Sequence, residues 1–277
     1  MRAIAQRLVS LDRRIIFFLV ALAVVLPIIR PLNLPGLRFT PEVRGVYDTI
    51  ERLPPNSPVV ISVDFDPSTA PELYPMGVAI LRHAFVRNLR VIVLGLWQTG
   101  TGIGEEMTRR VARELDKKDG VDYVFLGWAP GATNVIIGLG QDLYRTFPKD
   151  FYGKETMELP VLNGVRSLRD VGYVVTLAAG DPGIEAWYIY GAEKYRFPLG
   201  GGCTAVIAPG MYPYLNAGQI NGLIGGMKGA AEYENLIRRP DRATAGMDTQ
   251  SVTQLLIIVL ILLTNVAYFL TRRQKGE

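Results

Sequence analysis

The sequence predicts an α/β chain: a doubly wound, mostly parallel, Rossmann-like sandwich of about five strands, flanked by an N-terminal and a C-terminal transmembrane helix. Three observations lead there. Short apolar segments alternate with helical ones five times between Pro58 and Ile237. The apolar segments lack polar alternation, as expected of strands covered on both faces of a parallel sheet. Two uncharged apolar runs, 15–29 (IIFFLVALAVVLPII) and 252–270 (VTQLLIIVLILLTNVAYFL), enclose that pattern. A bilayer core about 30 Å thick takes roughly 17–25 apolar residues in a helix, which the second run supplies and the first approaches with help from Leu8–Leu11.

The first run reads as an uncleaved anchor. It follows a basic segment, as in a signal peptide, but no small-x-small cleavage site follows it; it ends in Pro27-Ile28-Ile29-Arg30-Pro31. Segment 30–57 reads as a linker. PLNLPG and LPPNSP are turn-rich, and between them 41–53 has helical spacing through Val43, Val46, Tyr47 and Ile50. The alternation then opens with strand 59–63 (VVISV) and helix 71–88, with proline at its start. Strand 91–96 (VIVLGL), amphipathic helix 103–116, strand 122–126 (DYVFL) and helix 134–147 follow. The last units are strand 173–178 (YVVTLA), helix 182–195, strand 204–208 (TAVIA) and a long helix over 212–237. The right-handed crossover rule makes the series a doubly wound sheet. The layout is tail 1–14, span 15–29, linker 30–57, α/β domain 58–237, linker 238–251, span 252–270 and tail 271–277.

Sidedness follows the cationic residues next to the spans. Arg2, Arg7, Arg13, Arg14, Arg272, Arg273 and Lys275 lie on the tail side; Arg30, Arg38, Arg44, Arg238, Arg239 and Arg242 lie on the domain side. The near-tie is broken by the first span, whose short preceding tail carries four arginines. Both tails are therefore expected in the cytoplasm and the central domain outside it. The net charge of +4 comes largely from the tails and suits anionic lipid, with no nucleic-acid partner expected. One cysteine, Cys203, forms no internal disulfide and reads as a small buried hydrophobe. One histidine, His83, lies mid-helix among Ile80, Leu81, Ala84 and Phe85 and reads as a packed, hydrogen-bonded side chain.

Ligands of such folds bind beyond the carboxyl ends of the strands. That selects Asp64–Thr69, Trp97–Gly100, Gly127–Pro130, Gly180–Pro182 and Pro209-Gly210. The candidate ligand-binding side chains are Asp64, Asp66, Ser68, Gln98, Thr99 and Asp181. In VVISVDFDPST a strand delivers Asp64, and Asp66, Ser68 and Thr69 follow at once. Two carboxylates so spaced suit a nucleophile or metal ligand beside a general acid. Equally, Asp66 and Ser68 suit a turn into the next helix. The glycine-rich turn 97–106 (WQTGTGIGEE) is not GxGxxG, and Glu105 and Glu106 would repel a phosphate; Gln98 and Thr99 suit a neutral ligand.

The Asp64 segment resembles the first motif of haloacid-dehalogenase-type phosphohydrolases, hhhhDxDx(S/T). The resemblance implies that Asp64 attacks phosphorus and Asp66 handles the leaving-group proton. It also implies Mg²⁺ held by Asp64 with an acidic pair, Asp181 and Glu185, in VVTLAAGDPGIE. The family's further Ser/Thr and Lys would fall to Thr99 and Lys154.

In the last predicted helix Gly218, Gly222, Gly225, Gly226 and Gly229 recur three and four residues apart. Small residues so spaced let another backbone approach, which makes them a candidate interface; turns breaking the helix are the equal alternative. The expected function is a membrane-anchored, non-catalytic subunit, scaffold or ligand-binding accessory of a larger assembly. Its partners would be membrane lipid and other membrane-protein subunits or copies of itself, with no cofactor. The alternative is the Mg²⁺-dependent phosphohydrolase.

Overall fold

The structure is a computed structural model of the 277-residue chain and describes residues 12–30, 32 and 39–272. Leu8–Leu11 and most of both expected tails lie outside the described residues. The chain divides into two compact units, Leu37–Ala243 and a second made of Met1–Gly36 with Thr244–Glu277.

The first unit holds a six-stranded, all-parallel sheet with helices on both sides. In chain order it comprises helix α2 (Pro41–Arg52), β1 (Pro58–Asp64), α3 (Ala70–Val86), β2 (Arg90–Gly95) and α4 (Thr101–Glu114). Then come β3 (Tyr123–Trp128), α5 (Thr133–Gln141), β4 (Tyr173–Ala178), a helical stretch α6 (184–195), β5 (Leu199–Cys203), α7 (Ala208–Asn216), β6 (Leu223–Gly225) and α8 (Gly226–Leu236). The order across the sheet is β3-β2-β1-β4-β5-β6, so the chain reverses direction across the sheet between β1 and β4. This is the order of the doubly wound nucleotide-binding folds. Every residue of β1 and of β4 is buried, which explains the unbroken apolar runs in the sequence.

Two strands depart from the expected pattern. The fifth strand is Leu199–Cys203, not 204–208, and a sixth strand lies inside the expected final helix. Packing decides the first. The LGGGC segment lies between bulky neighbours: a Cβ on Gly200 would come 2.0 Å from the Tyr173 hydroxyl, on Gly201 2.5 Å from Ile184, and on Gly202 2.7 Å from Leu177. Only glycine fits a strand there, although glycine lowers strand propensity. The apolar TAVIA segment instead forms the turn into α7, with Val206 86% exposed.

The expected helix 212–237 is α7, β6 and α8. Its glycines do not line one helix. Gly218 has φ +70° and takes the turn after α7, while Gly226 has φ +61° where β6 gives way to α8. Gly222 abuts the unit's own backbone: a Cβ there would lie 2.3 Å from the amide nitrogen of Val46, and one on Gly45 would lie 2.0 Å from the Asn221 carbonyl oxygen. Gly225 faces Ala208 and Gly229 faces Ile224. Turns and close packing within the unit therefore account for the residues expected to form an interface stripe.

The expected helix 134–147 breaks at Asp142, whose extended backbone and side chain cap a single following turn, Leu143–Thr146. Helix α2, expected in a linker, packs in this unit against β6, α8 and β5.

The second unit contains α1 (Arg13–Ile29), and α9 (Arg242–Arg272) runs into it from the first. Among the described residues one helix, not the expected two, is long and apolar enough to cross a membrane: Arg242–Tyr268, 27 residues. Its apolar side chains stay exposed, among them Leu255 at 63% and Leu262 at 59%. Helix α1 has 17 residues. At about 1.5 Å per residue it is roughly 25 Å long, at the lower end of the length that a core about 30 Å thick takes.

Candidate functional site

The candidate site residues are divided among three places at the carboxyl edge of the sheet and the turn into α3. The first is a closed polar knot around Asp64, which is fully buried at the end of β1. Its Oδ1 accepts from the Ser62 hydroxyl at 2.8 Å and the Leu96 amide at 2.7 Å. Its Oδ2 accepts from the Thr176 hydroxyl at 2.8 Å and the Trp187 indole at 3.2 Å. Ser62, Thr176 and Trp187 are themselves buried. Burial raises the Asp64 pKa to about 6, against the lowering effect of these four hydrogen bonds. With both oxygens engaged and no exposed surface, Asp64 offers no attacking atom and no metal-binding lone pair. The sequence expectation of a nucleophile or Mg²⁺ ligand there is corrected on that ground.

Asp66 lies outside the knot, in the turn into α3. Its Oδ1 accepts from the Ser68 hydroxyl at 2.7 Å, the Ser68 amide at 2.9 Å and the Thr69 amide at 3.3 Å. The Ser68 hydroxyl bond is the main reason its pKa falls below the usual carboxylate value. Asp66 and Ser68 thus carry out the turn role that their residue types allow.

The second place is a small cleft of 180 Å³ beyond β4, lined by Gly180, Asp181, Gly183 and Glu185 with Ala178, Ile184, Ile207 and Met211. Asp181 and Glu185 are exposed, and the Asp181–Pro182 peptide bond is cis. The Pro182 carbonyl accepts from the Trp97 indole at 2.9 Å. Among the described residues, no group of three or more His, Cys, Asp or Glu side chains could hold a metal ion, so Asp64, Asp181 and Glu185 form no shared site. Thr99 is exposed, and Lys154 pairs with Asp119.

The third place is a pocket of about 700 Å³ beyond the ends of β2 and β3. Gln98 and Thr101 line it from the start of α4, and Leu126, Trp128, Ala129 and Pro130 from the end of β3. The wall opposite is 146–151, where Phe147, Asp150 and Phe151 take part. Gln98 is the one candidate ligand-binding side chain here, joined by Trp128, Ala129 and Pro130 from the segment Gly127–Pro130 that the sequence also selects. Trp128 was within reach of sequence reasoning, because it lies in a segment that follows a strand. Residues 146–151 were not, because no local pattern marks them. A long-range bond brings them in: the Phe151 amide donates to the Phe125 carbonyl at 3.0 Å, and the two rings meet edge to face at 5.2 Å. The volume falls within the range of small-molecule sites, roughly 300–1,000 Å³.

Two chemically capable residues are committed elsewhere. His83 is 5% exposed; its Nδ1 bonds the Tyr233 hydroxyl at 2.8 Å, its Nε2 bonds Glu51 at 2.8 Å, and Tyr47 stacks on it at 4.6 Å. Burial, opposed by Glu51, lowers its pKa. Cys203 is fully buried at the end of β5, and burial pushes its thiol up to about 12, far from the thiolate form.

Comparison with protein families, curated proteins and solved structures gives no match for this chain. The class defined here is therefore that of its own sheet: a doubly wound α/β fold of six parallel strands with one candidate membrane helix.

Proposed function

We propose that this chain is a membrane-anchored α/β module that binds a small molecule without transforming it, as an accessory subunit of a membrane assembly. The pocket beyond β2 and β3 carries the reading. It has the size of a ligand site, lies on the carboxyl side of the sheet, one strand away from the reversal between β1 and β4, and is lined by Trp128, Phe147 and Phe151. The one pair of carboxylates that suggested hydrolysis is taken up by the Asp64 knot and the Asp66 turn.

Helix Arg242–Tyr268 is the anchor in this reading. Helix α1, uncharged from Ile15 to Ile29, is proposed as a second, shorter one, with both tails in the cytoplasm and the α/β unit outside. The partners are lipid and other membrane-protein subunits or copies of this chain.

The test is a thermal-shift screen of the detergent-extracted full chain against a panel of small metabolites, with Trp128→Ala and Phe147→Ala in parallel. Compounds should raise the melting temperature of the wild type and not of the variants. A panel that stabilises all three proteins alike would exclude this pocket as the site. A reporter active only in the cytoplasm should work after Leu270 and fail within 30–57; the reverse would overturn the sidedness.

A further inference from the structure

We infer that the β2–β3 pocket takes a ligand with a protonated amine on an aromatic or apolar body. The inference rests on the reading of this pocket as the ligand site. Its basis is Asp150, which lines the pocket and is 6% exposed. One oxygen, Oδ1, accepts from the amides of Tyr152 at 2.9 Å and Lys154 at 2.8 Å, which fixes the carboxylate on its loop. The other, Oδ2, is buried and has no hydrogen-bond partner among the described residues.

A buried carboxylate oxygen that has lost water and gained no donor is costly, and buried charges are ordinarily paired. Neither nearby lysine donates a hydrogen bond to Oδ2: Lys149 pairs with Glu155 at 3.2 Å, and Lys154, though Asp150 attracts it electrostatically, pairs with Asp119. The donor is therefore to come from a ligand, and an ammonium group supplies both the hydrogen bond and the countercharge.

The lining fits the rest of such a molecule. Trp128, Phe147 and Phe151 offer aromatic surface, whose faces attract cations as well as apolar groups. The Thr101 hydroxyl is also buried without a partner and can accept a second N–H or donate to a ligand oxygen. One feature opposes a cation: Thr101 begins α4, whose amino end favours negative charge. That effect is confined to the first turn of the helix, whereas the Asp150 carboxylate is held in place by two backbone amides.

The probes are phenethylamine, 2-phenylethanol and 3-phenylpropionate, matched in body and differing in head group. Each is titrated calorimetrically into the detergent-extracted full chain. The amine should bind more tightly than the alcohol and the acid by roughly ten-fold or more. Asp150→Asn, which keeps the Oδ1 acceptor, should melt near the wild type and lose most of that preference. Equal or tighter binding of the alcohol or the acid overturns the amine inference and leaves the ligand-site reading standing. If none of the three binds while panel compounds bind through Trp128, the amine inference falls alone. If nothing binds, both fall. The wild-type series decides the matter even if Asp150→Asn does not fold.

Discussion

The Trp187 indole nitrogen donates to Asp64 Oδ2 across 3.2 Å, joining the start of a helical stretch to the end of the first strand beneath the sheet's carboxyl edge. The bond is one of four that hold a fully buried carboxylate at the point where the strand order reverses. It makes Asp64 a structural tie among β1, β2, β4 and the helical layer.

That tie has a pH signature. The pKa of Asp64 is about 6 in the folded chain, against about 3.9 for an exposed aspartate. Folding therefore favours the protonated form. The stabilisation from this group is fully present below about pH 3.9 and is lost as pH rises through 6, a change of about 3 kcal/mol. The stability of the wild type minus that of Asp64→Asn should fall by about this amount between pH 4 and 7 in denaturant melts. A difference independent of pH would refute the assignment. The variant difference is the proper readout, because His83, whose pKa is lowered, acts with the opposite sign.

The glycines should separate by their surroundings. Gly222→Ala brings a methyl onto the backbone of Val46 and should cost about 1–3 kcal/mol. Gly102→Ala lies within α4 with nothing within 4 Å of the added carbon and should gain about 0.5–1 kcal/mol. Melting of the two variants against wild type checks both signs at once.

Arg82 should matter far more than an arginine at the surface. Its side chain is 9% exposed and meets Glu114 at 2.8 Å and Asp241 at 2.7 Å. Arg82→Met removes the cation shared by Glu114 and Asp241, which keep only Arg239 at 2.9 Å and Arg110 at 3.6 Å as partners. Breaking a buried pair costs about 3–5 kcal/mol, and partial exposure of both acids reduces this to about 1–3. Arg52→Ala, whose pair with Asp48 is solvent-exposed, should stay within about 0.5 kcal/mol. Chemical denaturation of the two variants tests the contrast.

Cys203 should resist alkylation. Iodoacetamide added at pH 8 should label the denatured chain rapidly and the native chain only at the rate of unfolding, because burial holds the thiol protonated. Fast native labelling, read by mass, would show an opening beside β5 that the fold does not contain.

The span should fail when charged. Ile261→Arg places a cation near the centre of the apolar stretch, at a cost of about 2.5–3.5 kcal/mol on the insertion scale. Alkaline carbonate should release that variant from membranes more readily than Ile261→Leu. Equal retention would argue that this helix is not the principal anchor.

The sequence alone determined what local pattern can encode. Unbroken apolar runs announced β1 to β4, because strands buried on both faces carry no polar alternation; proline at its start announced α3, and amphipathic spacing announced α4. The apolar stretch 252–270 announced the greater part of the helix Arg242–Tyr268, whose first turns instead occupy the segment 238–251 that the sequence reads as a linker. Tertiary structure decided the rest, because the deciding contacts lie far apart in the chain. LGGGC became a strand because Tyr173, Ile184 and Leu177 leave room only for glycine. Gly222 went to a crossing with α2 near Gly45 and Val46, which no helical spacing could reveal. Asp64 and Asp66, two residues apart and alike in the sequence, took opposite roles. One was enclosed by donors from β2, β4 and Trp187, and the other capped the turn beside it. The pocket formed where Phe151 met Phe125 and brought Asp150 toward Trp128, because folding alone brings a loop to the end of a strand that lies more than twenty residues before it.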